Sequence, residues 1–487
     1  MRNIPRCMST QHPDNATTPF FSDSAILDGE TEVKEAFYAY ATLGCTEQMW
    51  DCEGKEVDNF VVKKLLSNYG YFFSENKLGK DVFLTLRVPN PEIEKNEGKI
   101  LLETLESIPR NFDAAKAFYG EELPPIFEVI IPMVQGPEIL ERTAACYEKF
   151  VVGKANEKLG DITLAQWIGD FKPEKINIIP LIEDQPSMEK AEKIVGEFIQ
   201  KKKPEYQRVF LARSDPALNY GSLSAVLIIK SALQRLHALE EETSVEIYPM
   251  FGAGSAPFRG NLRPDNAKEF VHSYPSIQTF TIQSAFKYDH PPKEAIAGIE
   301  ALNSTKRRKP VEVDEERSKE IVEKVSEEYK EQLKILAPLI NTIANLVPQR
   351  RKRKLHTGLF GYSRKVKAGI KLPRAIRFCA SLYSIGIPPE ILGLNALSEK
   401  DTDYISEIYW GFRQDVSDSL QYLNEENLAK FPELHSKLKD AIKLFDYEVN
   451  EEHKTLTKHI LKKVEGQHPE TVTEEITKAA VIRRFLG

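Results

Sequence analysis

Short apolar runs alternate with longer amphipathic segments along most of this chain. Each run is bounded by polar or turn-forming residues, which is typical of buried β-strands. The segments between them have the periodicity of helices that cover one face of a sheet. The pattern predicts eight strands, at Arg6–Gln11, Val82–Arg87, Ile126–Pro132, Ile176–Ile182, Val209–Arg213, Val245–Phe251, Thr279–Gln283 and Leu355–Phe360.

Repeated strand–helix units predict an α/β fold with a parallel sheet. A closed (β/α)₈ barrel of the TIM type is favoured by the number of units, and an open parallel sheet is the alternative. Predicted helices between the strands include Ser187–Lys201, Ser222–Glu240 and Asn266–Tyr274. The charged segment Val311–Ala337 is predicted to be a long helix that faces solvent.

The last part of the chain has a different pattern. After about Pro388 no strand is predicted, and Glu390–Leu397 and Glu425–Lys463 are predicted to be helices that pack on one side of the barrel. We therefore expect one elaborated barrel domain over residues 1–487, with the barrel and its inserted helices in about 5–388 and a helical C-terminal region in about 389–487.

Composition narrows the class of protein. Hydrophobic residues make up 41% of the 487 residues and charged residues 29%, with a net charge of −7. A negative net charge argues against a general nucleic-acid binder, whose affinity depends on surplus lysine and arginine. No apolar stretch approaches the roughly twenty residues that cross a bilayer, and no signal peptide is evident, so no membrane association is expected. Five scattered cysteines without a Cys-x-x-Cys pair suit a reducing cytoplasm.

Two acidic residues stand where two predicted strands end. Glu183, next to Asp184, follows Ile176–Ile182, and Asp215 follows Val209–Arg213. Because chemistry in such folds gathers at the carboxyl ends of the strands, we expect the two carboxylates to share one hard divalent cation. A pair of helix N-caps is the alternative, since strand-to-helix loops also favour acidic caps.

A glycine-rich turn follows the predicted strand Val245–Phe251. It contains Gly252, Gly254 and Arg259. Glycines allow backbone N–H groups to approach an anion closely, and arginine adds a planar, permanently charged fork. The turn lacks the Gly-Lys-Ser/Thr of a Walker loop and the spacing of a dinucleotide fingerprint. It is therefore a candidate anion site, and a tight turn with an exposed arginine is the alternative.

Further basic residues lie near predicted strand ends. His12 follows a short β-prone run, although a lone histidine is more often a packed or solvated residue than a catalyst. Several arginines that converged on one barrel mouth would bind a multiply charged anion, whereas most arginines are surface charge. The candidates are Arg87, Arg213, Arg364 and Arg374.

Six segments resemble the archaeal-type phosphoenolpyruvate carboxylases, in the expected order. The resemblance runs from about residue 5 to at least Leu394, and the end of the chain is less distinctive. The segments are Cys7–Asn15, Gly44–Asp51, Gly54–Lys64, Phe251–Asn261, Thr281–Tyr288 and His356–Arg364.

The resemblance implies a (β/α)₈ barrel elaborated with helices, a requirement for Mg²⁺ or Mn²⁺, and no biotin. The implied enzyme is a carboxy-lyase that joins phosphoenolpyruvate to bicarbonate and yields oxaloacetate and phosphate. Members of the family are commonly homotetramers, so a cytoplasmic homotetramer is expected.

The resemblance also implies roles for particular residues. His12 falls on a histidine assigned to the carboxylation half-reaction, and Arg259 on an arginine tied to bicarbonate-derived groups. Glu183 and Asp215 fall on the two metal-ligand positions. The implied phosphate-binding arginines are Arg87 and Arg364, with Arg374 as a further candidate.

This chain departs from the longer carboxylases at three basic positions. Phe251, Ala253 and Leu218 stand where the longer enzymes have a histidine, an arginine and a lysine. Positive charge is therefore missing from the implied pocket, and our hypothesis is that Arg213 replaces part of it.

Two other interpretations compete with a carboxylase. Another Mg²⁺-dependent barrel enzyme that uses an enolate, such as a phosphoenolpyruvate mutase or a malyl-type lyase, would also place two carboxylates at strand ends. The basic run 349–354 suggests a nucleic-acid patch, although no interleaved aromatic residues accompany it. A basic, mobile loop that closes over an anionic substrate is favoured over that patch.

Overall fold

Eight parallel strands close into a barrel at the centre of the protein. The computed structural model describes residues 3–54, 58–352, 371–466 and 471–487, and the backbone alone of residues 364–365. The strand β8 pairs with β1, with Phe280 opposite Cys7, so the sheet has no free edge. The strands are β1 (Cys7–Ser9), β2 (Glu47–Asp51), β3 (Phe83–Arg87), β4 (Glu128–Ile131), β5 (Asn177–Ile182), β6 (Tyr206–Ala212), β7 (Glu246–Gly252) and β8 (Thr279–Ile282). The predicted closed barrel is confirmed.

One barrel strand was not predicted. The pattern places a strand at Leu355–Phe360, which lies outside the described residues. The strand that completes the barrel of eight is β2, which lies between β1 and β3. All five residues of β2 are buried although its sequence is Glu-Gln-Met-Trp-Asp. Glu47 points to the interior, where it meets Arg208, and Asp51 lies at the mouth, so the segment has no apolar run for a sequence pattern to detect.

Helices follow most of the strands and form the outer layer. The first ten are α1 (Gly29–Ala41), α2 (Val61–Asn68), α3 (Gly70–Glu75), α4 (Gly98–Tyr119), α5 (Glu138–Cys146), α6 (Leu164–Ile168), α7 (Gln185–Met188), α8 (Ala191–Lys202), α9 (Ser214–Tyr220) and α10 (Ser222–Thr243). The later ones are α11 (Ala267–Ser273), α12 (Ser284–Tyr288), α13 (Pro292–Asn303), α14 (Glu315–Ala344), α15 (Ala375–Ser384), α16 (Glu399–Ile408), α17 (Phe412–Leu420), α18 (Glu425–Leu428), α19 (Pro432–Ile442), α20 (Glu451–Glu465) and α21 (Val472–Arg483).

Shorter elements connect these helices and strands. Two two-stranded hairpins pair Lys158–Leu159 with Ile162–Thr163 and Arg364–Lys365 with Lys371–Leu372. A π-helical turn covers Tyr147–Val151. The 3₁₀ turns are Lys95–Glu97, Val152–Asn156, Pro257–Arg259, Pro264–Asn266, Pro389–Ile391 and Leu394–Ala396.

The long helix α14 is only partly exposed to solvent. Its polar face is exposed as predicted, but thirteen of its residues are buried, among them Val325, Tyr329 and Leu336. This apolar stripe packs against α10 and α15. The expectation of a solvent-facing helix is therefore wrong for one face, because the amphipathic stripe needs a partner.

The C-terminal region has no strand among its described residues, as predicted. Its helices share one continuous hydrophobic core with the barrel, and α17 contacts the turn Pro257–Arg259 beside the mouth. In the described part of the chain no helix combines the length and the apolar character needed to cross a membrane.

Charged side chains fill the amino-terminal end of the barrel interior. The Arg208 guanidinium donates to Glu47 Oε1 and Glu128 Oε2, at 2.7 Å each, and has no exposed side-chain surface. Thr85 Oγ1 and Tyr206 OH donate to the same two glutamates. Because every charge is paired inside the barrel, this layer is compatible with burial.

An apolar layer lies between these charges and the carboxyl ends of the strands. Its side chains are Met8, Met49, Ile130, Ile179, Leu181, Phe210, Ala212 and Met250. The barrel is therefore a filled core with no pore, and only the strand ends above this layer are available for chemistry.

Replacing Arg208 tests how far the barrel depends on its buried charges. We expect Arg208→Met to lower the free energy of unfolding by about 3–5 kcal/mol, because Glu47 and Glu128 keep their buried charges without a partner. Urea unfolding followed by circular dichroism measures the change.

The triple variant Arg208→Met/Glu47→Gln/Glu128→Gln is expected to recover most of the lost stability, since no unpaired charge remains. The exposed Arg413→Met variant should stay within about 0.5 kcal/mol of the wild type. A triple variant as unstable as the single one would contradict this account.

Candidate active site

A cavity of about 520 Å³ opens at the carboxyl ends of the strands. On the barrel side it is lined by the end of β3 at Arg87, by Glu183 directly after β5, and by Gly252 at the end of β7. The other wall comes from the end of α14 and the residues after it, from residues 372–377 and from Leu486. The cavity thus lies where barrel enzymes place their chemistry.

The two predicted metal ligands line this same cavity. Glu183 and Asp215 both belong to its wall. The neighbouring Asp184 is the N-cap of α7, because its carboxylate accepts a hydrogen bond from Ser187 N at 2.8 Å. Asp215 lies in the first turn of α9, where no side-chain cap is formed. The alternative of two helix caps therefore describes Asp184 and neither of the two predicted ligands.

A strained loop fixes the orientation of Glu183. Met133, just after β4, donates its backbone N–H to Glu183 Oε2 at 2.7 Å and has a left-handed φ of 52°. Asn90 Nδ2 holds the same loop by donating to the carbonyls of Pro132 and Met133. Non-glycine residues with such a backbone concentrate at functional sites, and this positioning contact has no signal in the sequence.

The chemistry of Glu183 and Asp215 is compatible with a hard divalent cation. The two carboxylates line one cavity and could supply oxygen ligands. Among the described residues, no group of three or more His, Cys, Asp or Glu side chains could hold a metal ion. A cation held by Glu183 and Asp215 would keep positions for water and substrate, which suits Mg²⁺ or Mn²⁺.

His12 lies in the loop after β1 and also lines the cavity. Its Nδ1 is 2.8 Å from Thr10 Oγ1, and Lys287 Nζ holds the loop by donating to Ser9 Oγ and to the Thr10 carbonyl. Burial and the positive charges of Arg87 and Arg259 hold the pKa of His12 well below the usual 6.5, against the opposing charge of Asp51. The imidazole is therefore neutral near pH 7 and able to accept a proton.

Arg259 is buried and bonded on every nitrogen. Nε donates to Ser214 Oγ at 3.0 Å and Nη2 to Gln283 Oε1 at 2.6 Å. Nη1 donates to Asp14 Oδ2 at 3.2 Å and to the Gly487 carbonyl at 2.8 Å. The alternative of an exposed arginine is wrong, because Arg259 joins four segments at the mouth.

The glycine-rich turn is shaped around this arginine. A Cβ on Gly254 would lie 2.9 Å from Arg259 Nη1, and the Gly254 N–H donates to the Arg259 carbonyl at 2.8 Å. Gly252 lies in the cavity wall. The Gly254 N–H thus closes the turn itself, and glycine is needed there for space.

Two of the candidate arginines are paired with acids at the mouth. Arg87 donates from Nε and Nη2 to both carboxylate oxygens of Asp51, at 2.9 and 2.6 Å, and lies 3.3 Å from Glu53. Arg374 Nη2 donates to Glu53 Oε1 at 3.3 Å. Asp51 and Glu53 were missed by sequence reasoning because β2, which ends at Asp51, was missed.

The other two candidate arginines have different surroundings. Arg213 lines the cavity, is buried, and donates from Nη2 to Ser222 Oγ at 2.9 Å. Arg364 pairs through its backbone with Leu372, and its side chain lies outside the described residues.

The basic run 349–354 begins with two buried arginines. Arg350 donates to the carbonyls of Asn15 and Ala16, and Arg351 donates to Glu35 Oε1 at 2.7 Å. Residues 353 and 354 lie outside the described part of the chain. The interpretations as an exposed patch or as a mobile basic loop are therefore wrong for Arg350 and Arg351, which fasten the segment to the loop after β1.

The C-terminal residues reach the cavity, which sequence reasoning did not predict. Leu486 lines the cavity and donates its N–H to the Asp14 carbonyl at 2.6 Å, while Gly487 accepts from Arg259. A Cβ on Gly487 would lie 2.1 Å from the Ile376 carbonyl oxygen. Glycine is therefore required by the close packing of this segment on α15.

The family model described as phosphoenolpyruvate carboxylase matches residues 4–487. The phosphoenolpyruvate carboxylase of Methanospirillum hungatei is 52% identical over 486 residues, which cover 99% of this chain and 100% of that protein. The enzyme of the same name from Pyrococcus abyssi is 51% identical over 484 residues, with 99% and 100% covered. Among solved structures, the magnesium/glyoxylate complex of Haloferax volcanii malate synthase aligns with a TM-score of 0.39 at 10% identity, covering 64% of this chain and 78% of that chain, a likeness too low to support a conclusion.

The depressed pKa of His12 can be tested without an activity assay. Diethyl pyrocarbonate modifies neutral imidazole, so we expect the His12 peptide to keep its full reactivity to a pH well below 6.5 in the folded protein. In the urea-unfolded chain the midpoint should lie near the ordinary value of about 6.5. Mass spectrometry of the peptide measures both midpoints.

An Arg374→Gln variant is expected to move the folded midpoint upward, because one repelling charge is removed. A folded midpoint at or above the unfolded one would contradict the electrostatic account of His12.

Proposed function

The chain belongs to the phosphoenolpyruvate carboxylase family, and we propose on this premise that it joins phosphoenolpyruvate to bicarbonate to give oxaloacetate and phosphate. The observation that carries the proposal is the cavity at the barrel mouth, where Glu183 and Asp215 face the same space as His12 and several arginines. Such a site has oxygen ligands for a cation, a neutral base, and positive charge for a phosphorylated carboxylate.

We propose Mg²⁺ or Mn²⁺ as the cofactor, held by Glu183 and Asp215, and no biotin. When bound, the ion would neutralise charge that develops on the enolate oxygen of pyruvate. The second oxygen of the Glu183 carboxylate is fixed by Met133 N, which presents the group in one orientation. The Glu183 carboxylate is thus oriented before substrate arrives, which lowers the reorganisation that the reaction needs.

Bicarbonate is a poor electrophile and needs activation before a carbon–carbon bond forms. In the proposed first step a bicarbonate oxygen attacks phosphorus, the bond from phosphorus to the enol oxygen breaks, and carboxyphosphate and the enolate of pyruvate result. Positioning and neutralisation of the phosphoryl oxygens are the main requirements of such a transfer. Arg87, Arg364 and Arg374 are proposed to supply that charge, with Arg213 as the replacement for part of the charge of the longer enzymes.

His12 is proposed to take the carboxyl proton of carboxyphosphate. Loss of that proton releases CO₂ and phosphate beside the enolate, whose carbon then attacks CO₂ to form oxaloacetate. The neutral imidazole near pH 7 supports this role. For Nε2 to accept the proton, Nδ1–H donates to Thr10 Oγ1, a contact of 2.8 Å.

Water must be kept from the enolate, because its protonation would yield pyruvate and end the reaction. Apolar side chains from three segments lie in the cavity wall, among them Phe210 on the barrel side, Val347 after α14, and Leu486. These apolar side chains shield part of the cavity from solvent, which supports chemistry on an enolate there.

His12→Asn separates the two half-reactions. We expect bicarbonate-dependent release of phosphate from phosphoenolpyruvate to continue, with pyruvate as the organic product, while oxaloacetate formation falls by about 10²–10⁴-fold, the usual contribution of a general base. Phosphate is measured colorimetrically and oxaloacetate with malate dehydrogenase and NADH. Unimpaired oxaloacetate production would reject the role of His12.

The reaction class and the metal are tested together by omitting bicarbonate or Mg²⁺ from the coupled assay. We expect activity to require both, and Glu183→Gln to raise the Mg²⁺ concentration for half-maximal rate by at least about 10-fold, because one of two protein ligands is lost. Binding of Mn²⁺, followed by electron paramagnetic resonance, should weaken in parallel.

Asp184→Asn is the matched control, since asparagine preserves the cap of α7 and the change lies one residue away. Its Mg²⁺ dependence should match the wild type. Release of phosphate or pyruvate that does not depend on bicarbonate would favour a phosphoenolpyruvate mutase or a malyl-type lyase over a carboxylase.

A further inference from the structure

Most of the arginines that line the cavity already have protein partners. Arg87 and Arg374 share Glu53, and Arg259 is bonded to side chains and to the Gly487 carbonyl. Arg350 binds backbone carbonyls, and Arg351 is paired with Glu35. These contacts hold the walls of the cavity together, so a substrate anion would have to share each of these guanidinium groups.

Arg377 lines the same cavity and differs from this group. It is half-buried, and its guanidinium makes no hydrogen bond or ion pair with any residue in the described part of the chain. Burial alone lowers the pKa of Arg377, since no described carboxylate offsets the loss of water. A permanently charged fork in a partly dry wall without a counter-charge is prepared to receive an oxyanion.

The backbone around Arg377 also carries partial positive charge. Residues 374–377 form the N-cap and first turn of α15, and all four line the cavity. The N-cap residue Arg374 makes no capping hydrogen bond with its side chain. The first-turn N–H groups and the positive end of the helix therefore add to the attraction for an anion.

A second, independent observation concerns the buried Arg213 in the same cavity wall. Its Nε and Nη1 atoms are inaccessible to solvent and make no close hydrogen bond with the described residues, although Tyr274 and the Asp415 carboxylate lie near the guanidinium. A buried donor without a close partner calls for an explanation, and in a cavity wall a bound ion, water or ligand group provides one. The cavity thus contains guanidinium donors, on Arg377 and on Arg213, that make no close hydrogen bond with the described protein groups.

We propose that Arg377, together with the first turn of α15, forms an anion subsite that binds an oxyanion of the three-carbon substrate. The ligand group is a phosphate or a carboxylate, both of which accept a bidentate guanidinium. The inference rests on the proposed function for the identity of that substrate. Arg377 is assigned to binding and orientation and takes no part in proton transfer.

Two substitutions separate the charge of Arg377 from its shape. Arg377→Met keeps much of the length and removes the charge, and Arg377→Lys keeps the charge and removes the fork. We expect the KM for phosphoenolpyruvate to rise about 10- to 100-fold in the methionine variant and less in the lysine variant, because a charge-assisted contact is lost. The kcat should stay within about threefold, since binding is weakened more than chemistry.

Direct binding identifies the oxyanion. Isothermal titration with orthophosphate and, separately, with malonate is carried out on the wild type and both variants without added metal. Weaker binding of orthophosphate alone assigns Arg377 to the phosphate, and weaker binding of malonate alone assigns it to the carboxylate. The same titrations on Arg213→Met show whether that buried arginine also binds the anion. An unchanged KM for phosphoenolpyruvate in Arg213→Met would exclude Arg213 from the subsite.

The exposed Arg413→Met is the matched control and should leave KM and both affinities unchanged. Unchanged KM and unchanged binding of both probes in a folded Arg377→Met protein would overturn the inference, as would a fall in kcat at constant KM. If Arg377→Met does not fold, the lysine variant decides on the same criteria. A wild type that binds orthophosphate through Arg377 but lacks bicarbonate-dependent activity would refute the proposed function and leave the anion subsite standing.

Discussion

The hydrogen bonds of Arg259 hold the barrel mouth in one arrangement. One guanidinium fastens the β1 loop through Asp14, the segment after β6 through Ser214, the end of β8 through Gln283, and the C-terminal residues through Gly487. His12 and Asp215 lie next to these contacts along the chain. Because a buried guanidinium needs its donors satisfied, the four segments are fixed relative to one another before any substrate binds. The placement of His12 relative to Asp215 therefore depends in part on Arg259.

Charge is arranged differently at the two ends of the barrel. At the amino-terminal end, Arg208 is matched by Glu47 and Glu128 in a layer that contributes to the core and is closed to ligands. At the carboxyl end the cavity wall also contains charges, but Arg377 makes no hydrogen bond or ion pair within the described part of the chain. Pairing makes a buried charge compatible with folding, whereas an unpaired charge is tolerated at a site where a bound ligand supplies the opposite charge. The anion subsite proposed for the mouth follows from this contrast.

Sequence reasoning was most successful where one side chain or one run carries the signal. Seven barrel strands, several helices and the acids at the ends of β5 and β6 were predicted, since apolar runs and strand-end acids are local features. It failed for β2, whose Glu47 turns inward to meet Arg208, because the apolar pattern is absent when the interior itself is charged. The acids Asp51 and Glu53 were lost with that strand. Met133 and Gly487 were also missed, because their contacts join residues far apart in the chain.

By itself, the sequence determined the fold class and the identity of the main chemical groups, since periodicity and motif residues are properties of the chain alone. It did not decide which acids cap helices and which face the cavity, and the tertiary structure assigned the cap to Asp184 and the cavity to Glu183 and Asp215. Nor did it decide which arginines are structural. That distinction depends on whether a carboxylate or a carbonyl lies within hydrogen-bond distance, and such a neighbour is supplied by the folding of distant segments onto one another.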